Sequence, residues 1–309
     1  MIRCDRVIVE RFGQMVIDRL SLEIGAGETL AVIGRSGAGK TTLLEAIATA
    51  IPTRGGDIEL AGHSVRRDPD AVRARIGYAP AHLSAWPAVR ADEFLTLFAR
   101  SAGLGGRSLD EAVARALDLA GLSGKGGVSI ERLSDGQAKL LLIGRALLHA
   151  PDVLILDDPF GNLDPLQRQS IERLIGDMQI GGRTVIAALD DAHAADCFTH
   201  LALLSEGRLL RDGPATFAAF AGGRAWRYRI HCQGQAEAAA RVVGRLADAV
   251  EACDANTLDC SLPARSLMGE KDAARPIANV IETLVRAGIA VESAGLHPHW
   301  TVQLLEQMV

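Results

Sequence analysis

Thr29-Leu-Ala-Val-Ile33 is an unbroken apolar run that leads directly into Gly34-Arg-Ser-Gly-Ala-Gly-Lys-Thr-Thr42. Such a run reads as a strand buried on both faces, and the glycines behind it permit a tight turn that other residues resist. Thr41–Ala50 then reads as a helix. Strand, glycine turn and helix together make a phosphate loop of the form G-x-x-x-x-G-K-[ST], in which consecutive backbone N–H groups surround the phosphates. Lys40 would reach the β- and γ-phosphates, and the Thr41 hydroxyl would hold Mg²⁺. The helix N-terminus adds its partial positive charge. Gly34, Arg35, Ser36, Gly37, Ala38, Gly39, Lys40, Thr41 and Thr42 are therefore the candidate nucleotide contacts. Taken alone, the pattern says only that a nucleotide binds.

The surroundings point to an α/β core. Residues 2–33 read as short strands, and the turn Thr53-Arg-Gly-Gly-Asp57 precedes a strand at Ile58–Leu60. From about 83 to 150 the chain looks helical, with apolar residues at three- and four-residue spacing in Ala91–Ala102, Leu109–Ala120 and Asp135–Leu148. Val153-Leu-Ile-Leu156 and Thr184-Val-Ile-Ala-Ala188 are continuous apolar strands of a parallel sheet. Alternating strands and helices give an α/β arrangement. Past a boundary near Ala221-Gly-Gly-Arg224 the order becomes strand (Trp226–Cys232), helix (Gln235–Val250), strand (Val250–Cys253), strand (Thr257–Leu262), helix (Ala274–Ala287), strand (Ile289–Ala294) and helix (Trp300–Gln307). That β-α-β-β-α-β order resembles a small ferredoxin-like domain. Two domains are expected, 1–221 and 225–309, in keeping with 309 residues.

A net charge of -5 argues against a nonspecific nucleic-acid binder. Five scattered cysteines without a C-x-x-C pair suggest a reducing compartment. No apolar stretch is a credible membrane span, since Leu140–Leu148 is short and contains Arg145. Arg3, Asp5 and Arg6 leave no apolar region for a signal peptide. Work at a membrane would require another chain to supply the membrane part. His231, Cys232, Cys253 and Cys260, with His297 and His299 further on, have the chemistry of a soft-metal site. Their spacing fits no recognised site, and buried core cysteines are the plainer reading.

Two further segments narrow the phosphate loop's meaning. Leu133-Ser-Asp-Gly-Gln137 and the apolar strand ending in Asp157-Asp158 follow the loop in an order that resembles an ABC-type ATPase over roughly residues 1 to 215. The resemblance implies a P-loop NTPase core of RecA-like type, with antiparallel β and helical subdomains (the latter about 83–150). It also implies ATP and Mg²⁺. Phe12 stands where the family has an aromatic that stacks on adenine, the alternative being a core phenylalanine. Leu133, Ser134, Asp135, Gly136 and Gln137 correspond to the signature, whose Ser134 and Gly136 N–H would meet the γ-phosphate held by the opposite subunit. Asp157 corresponds to the Mg²⁺-holding aspartate, and Asn162-Leu-Asp164 to the D-loop, with Asp164 at the dimer interface.

The chain departs from the family at several positions. Ala81 replaces the Q-loop glutamine, with His82 beside it as a substitute imidazole or a plain loop histidine. Asp135 replaces a signature glycine, tolerable if its side chain points outward or caps the helix. Asp158, the catalytic candidate, replaces a glutamate and is one methylene shorter. The γ-phosphate histidine is replaced by Leu189 or Asp190, with His193 nearby. The reading is an ATP-binding subunit, resembling bacterial exporter types with a C-terminal extension. It would dimerise around ATP as a homodimer or a heterodimer and dock through Ala81–Phe98 on the cytoplasmic side of a membrane permease. Hydrolysis would be slow, the alternative being ordinary activity with Asp158 as base and small shifts of the backbone. The alternative is a non-transport ABC ATPase acting as an ATP-switched module, though those usually carry two ATPase domains or a coiled-coil insertion. A P-loop kinase has no need of Leu133–Gln137.

Overall fold

The computed structural model describes residues 1–82, 89–189, 197–215, 226–247, 249–262 and 275–296. Contacts divide the chain into two compact units, Met1–Pro214 and Ala215–Val309. In the first unit β1 (Ile2–Arg11), β2 (Gln14–Ile24), β4 (Gly55–Leu60) and β5 (His63–Ser64) form an antiparallel sheet in the order β2-β1-β4-β5. A second sheet runs β10-β9-β3-β8-β7-β6, from β3 (Thr29–Gly34), β6 (Ile76–Ala79), β7 (Val153–Asp157), β8 (Thr184–Leu189), β9 (His200–Ser205) and β10 (Arg208–Pro214). It is parallel except for β10.

Helix α1 (Lys40–Ile47) touches strands of both sheets. Leu43, Leu44 and Ile47 are fully buried in one core cluster with Ile2, Val9 and Ile17 of the antiparallel sheet and Val32, Ile155 and Ile186 of the parallel one. Each large apolar side chain so buried contributes about 1.5–3 kcal/mol. The helix that carries the phosphate loop is therefore fixed by core packing on two sides. Every residue of β3, β7 and β8 is buried, as their continuous apolar runs require.

Around this core lie α2 (Pro69–Arg73), α3 (Ala91–Ser101), α4 (Gly106–Leu119), α5 (Asp135–Leu147) and α6 (Pro165–Ile180). Helices α3, α4 and α5 pack on one another, and α5 also lies on β6 and β7. The helical expectation for residues 89–150 thus holds, while 83–88 fall outside the described residues. Of the short strands expected within 2–33, the one at Thr29 is present as β3, while residues 2–24 form two longer strands of 10 and 11 residues. Register shifts between Cys4, Val7 and Val9 break their alternation, which hid their length.

In the second unit β11 (Trp226–Cys232), β12 (Ala249–Ala252), β13 (Thr257–Leu262) and β14 (Val291–Leu296) form an antiparallel sheet in the order β12-β13-β11-β14. Helices α7 (Ala236–Val243) and α8 (Arg275–Arg286) complete a β-α-β-β-α-β sequence of elements. The first helix is shorter than Gln235–Val250, because Val243 is followed by the turn at Gly244. The last strand begins at Val291, later than Ile289. A helix at Trp300–Gln307, with His297 and His299, lies outside the described residues.

The histidine and cysteines weighed for a metal do not converge. His231 and Cys232 are successive in β11 at a register shift against β14, and His231 Nδ1 lies beside the Thr257 hydroxyl at 3.3 Å. Among the described residues no three potential ligands come together. Burial pushes the thiols of Cys4 and Cys260 up to about 12, whereas Cys253 is exposed. Both buried groups stay protonated at pH 8, and the thiolate is the nucleophile. A thiol reagent at pH 8 should therefore modify Cys253 in the folded protein and spare Cys4 and Cys260 until denaturant is added. Mass spectrometry before and after unfolding checks this, and labelling of native Cys4 would contradict its burial.

Candidate functional site

The phosphate loop stands at the C-terminal end of β3, the edge at which open parallel sheets bind ligands. Gly37 and Gly39 have φ of +82° and +99°, left-handed values that favour glycine. Gly39 is the N-cap of α1. The first N–H groups of a helix have no intrahelical acceptor and point out of its end, so Lys40, Thr41 and Thr42 present theirs beside the loop. Lys40 is 6% exposed, and its ammonium donates to the carbonyls of Gly34 (2.8 Å) and Arg35 (3.2 Å). A cation is thus held at the loop's centre.

Strand register brings in the second half of the site. Val32 of β3 pairs with Ala188 of β8, which pairs with Asp157 of β7. Asp157 is therefore level with the end of β3, two strands away. The Thr41 hydroxyl donates to Asp157 Oδ1 at 3.1 Å. A hydroxyl and a carboxylate side by side are the hard oxygen donors that Mg²⁺ takes when it binds through few protein groups and nucleotide phosphates. The glycine loop, the buried ammonium and this oxygen pair fit a Mg²⁺-nucleotide, and ATP with Mg²⁺ is the cofactor. Bound there, the metal neutralises charge on the phosphates.

Phe12 has an unusual setting. Arg11 pairs with Gln14, so β1 and β2 are joined by the two-residue turn Phe12-Gly13. Both have positive φ, 51° and 77°, the signs of a type I′ hairpin. A bulky residue is a poor choice at such a φ, yet the phenylalanine is fully exposed. The core-residue alternative is therefore excluded, and a free aromatic face remains.

Ser134 is the N-cap of α5, its Oγ accepting from Gln137 N at 3.2 Å while Gln137 Oε1 accepts from Ser134 N at 3.2 Å. The Ser134 hydroxyl proton is still available for an outside acceptor. Asp135 is exposed in the first turn and leaves the capping to Ser134. Leu133 is half-buried just after the short 3₁₀ turn Ile130–Arg132, and Gly136 is buried. A Cβ on Gly136 would stand 2.3 Å from Gln167 Oε1, so glycine lets α5 approach α6. Asp164 caps α6, accepting from Leu166 N and Gln167 N at 2.9 Å each. Next to it Leu166 is 77% exposed. That apolar side chain was missed in the sequence, where nothing marks it as unburied.

Asp158 follows β7 with φ 45°. Its N–H donates to Ala188 O at 2.9 Å. Its carboxylate does not stand alone: Oδ2 is 3.0 Å from Lys139 Nζ, which also donates to the Asp158 carbonyl. Lys139 escaped the sequence reading, being nineteen residues away on α5. Leu189 ends β8 and is buried, and Asp190 and His193 lie outside the described residues. Ala81 and exposed His82 form a bend after β6.

A family model described as "ABC transporter" matches residues 17–161. Nod factor export ATP-binding protein I of Paraburkholderia xenovorans is 31% identical over 213 residues, 69% of this chain and 70% of that protein. Phosphate import ATP-binding protein PstB 2 of Natronomonas pharaonis is 34% identical over 65% of this chain and 76% of its own length. A daunorubicin resistance ATP-binding protein of Streptomyces coeruleorubidus is 27% identical over 93% of this chain and 88% of its own. Among solved structures, a dimeric post-hydrolysis ATP-binding cassette bound to ADP and Pi superposes with a TM-score of 0.64 at 22% identity, covering 70% of this chain and 99% of that one.

Two substitutions probe these placements. Phe12→Ala should weaken nucleotide binding by about 1–3 kcal/mol, the worth of one stacked base, with no loss of melting temperature because nothing is unburied. Titration with a fluorescent ATP analogue alongside a thermal melt checks both. Ser134→Ala removes the cap of α5 and should destabilise the fold by about 1 kcal/mol. It should abolish ATP-induced dimerisation while one subunit's own ATP binding persists, which sizing and nucleotide titration separate.

Proposed function

The chain belongs to the ABC transporter family as an ATP-binding subunit, and we propose that it works as an ATP-gated dimer in which nucleotide capture is strong and hydrolysis slow. The observation that carries this reading is an asymmetry within one site. The groups that hold a Mg²⁺-nucleotide are in place: Lys40 in its loop, Thr41 against Asp157, and a bare Phe12. The groups that would serve the attacking water are reduced: Ala81 has no side-chain donor or acceptor, Asp158 is engaged by Lys139, and the histidine's place falls to the buried apolar Leu189 or to Asp190, which lies outside the described residues.

In hydrolysis a water oxygen bonds to the γ-phosphorus as the bond to the bridging oxygen of ADP breaks, and the water's proton leaves toward an adjacent base. Asp158 is the side chain of this chain assigned that hydrogen bond. A carboxylate displaced by about 1 Å can lower the rate on the order of 100-fold. Capture is spared, because it depends on other atoms.

The partner would bring its own Ser134–Gln137 to this site and receive this chain's in return. The cap geometry of Ser134 suits a second copy or a different ABC subunit equally. The exposed Asp164 and Leu166 lie beside that face. A permease would dock through Ala81–Phe98, of which 83–88 lie outside the described residues and Phe98 lines a groove of about 750 Å³ with Tyr78, Leu104, Arg145 and His149. There the Arg145 guanidinium sits 5.0 Å above the Phe98 ring and donates to the Tyr78 carbonyl. No helix among the described residues is long and apolar enough to cross a membrane.

Turnover of the purified chain should fall well below the roughly 10 per second of a median enzyme, and Asp158→Glu should raise it at least about tenfold. Steady-state phosphate release measures both. Turnover in the usual range and unmoved by Asp158→Glu would overturn the slow-hydrolysis reading.

A further inference from the structure

Lys139 lies on α5, five residues beyond Ser134, and is 7% exposed. An ammonium so buried needs partners, and it finds two on one residue, the carbonyl and the Oδ2 of Asp158. The carboxylate is held from the other side as well. A Cβ built on Gly161 would stand 2.0 Å from Asp158 Oδ2 and 3.0 Å from Oδ1. Both oxygens are therefore folded back over the turn that follows β7, in space that only a glycine leaves open. Neighbouring Asp157 reaches Thr41 instead. Two adjacent carboxylates thus serve different ends, one toward the phosphate loop and one toward α5.

We propose that Lys139 is a positioning residue that holds the Asp158 carboxylate in a resting orientation over Gly161, and so restrains hydrolysis without affecting nucleotide capture. The inference rests on the assignment of Asp158 to the attacking water. Release of the pair lets the short aspartate turn toward the nucleotide. The restraint is built into the helix whose first turn is the Ser134–Gln137 segment. That same turn touches Gln167 of α6 through Gly136.

Burial alone could account for the pair, and the two roles differ in what they move. A purely structural lysine, once removed, lowers stability and turnover together. A restraint, once removed, raises kcat and leaves ATP affinity as it was. The purified full-length chain is assayed for kcat, KM and binding of a fluorescent ATP analogue. Lys139→Met should raise kcat on the order of tenfold, part of what about 1 Å of misplacement costs, with affinity unchanged. Lys139→Arg keeps the charge and should match the parent. Gly161→Ala displaces the carboxylate without touching the lysine, and should raise kcat as Lys139→Met does even if that variant folds poorly. In an Asp158→Asn background neither change should have any effect. Unchanged or lower kcat in Gly161→Ala with intact ATP binding overturns the proposal, as does a gain that survives Asp158→Asn. Absence of ATP binding in the parent chain would overturn the proposed function as well, and is read separately.

Discussion

The fold depends on one short helix being buried on two sides. Helix α1 begins inside the phosphate loop and ends among apolar residues of both sheets, so the loop has no freedom to drift. The binding site inherits the rigidity of the core, because the same eight residues carry Lys40 and Thr41 at one end and Leu43, Leu44 and Ile47 along the rest. A site positioned in this way needs no bound ligand to hold Thr41 against Asp157. Its geometry is a consequence of strand register, since a one-residue slip of β7 against β8 would reverse every side chain and turn Asp157 away.

The turn after β7 is organised on different terms. Asp158 adopts a left-handed φ, bonds to Ala188, and meets an ammonium from a helix of the other subdomain. Backbone strain of this kind persists only where the surroundings over-determine it. Here they are the β8 edge, Gly161 and Lys139. The capture half of the site is anchored in the core, and the hydrolytic half is anchored in α5.

Much of this was legible in the residues, for reasons specific to each element. β3, β7 and β8 are continuous apolar runs, and nothing but a strand buried on both faces suits them. The loop is defined by residue types at fixed spacing. Helix α5 shows both its cap, Ser134 with Gln137, and its apolar period. What stayed hidden depends on tertiary structure. β1 has exposed Arg3, Asp5 and Arg6, and Arg6 sits at φ 45° beside a bulge, so simple alternation fails there. Helix α7 ends at Val243 although Leu246 and Ala247 continue its apolar period, since a turn at Gly244 overrides the pattern. The Lys139–Asp158 pair joins two motifs that are read independently along the chain, and only the crossing of α5 over β7 brings them together.

Phe12 and Ser134 are each exposed in the single chain, and they serve opposite ends of the assembly reaction. An aromatic face open to solvent can capture a nucleotide before any partner arrives, whereas the serine has nothing to bind until a loaded partner presents its phosphate. In the proposed dimer, if it pairs two copies of this chain, assembly would require an encounter between two subunits that are both already charged. Its extent follows the product of two occupied populations, so where few subunits carry ATP a doubling of the occupied fraction quadruples the closed form. A homodimer built this way would respond to ATP more steeply than any one of its sites does.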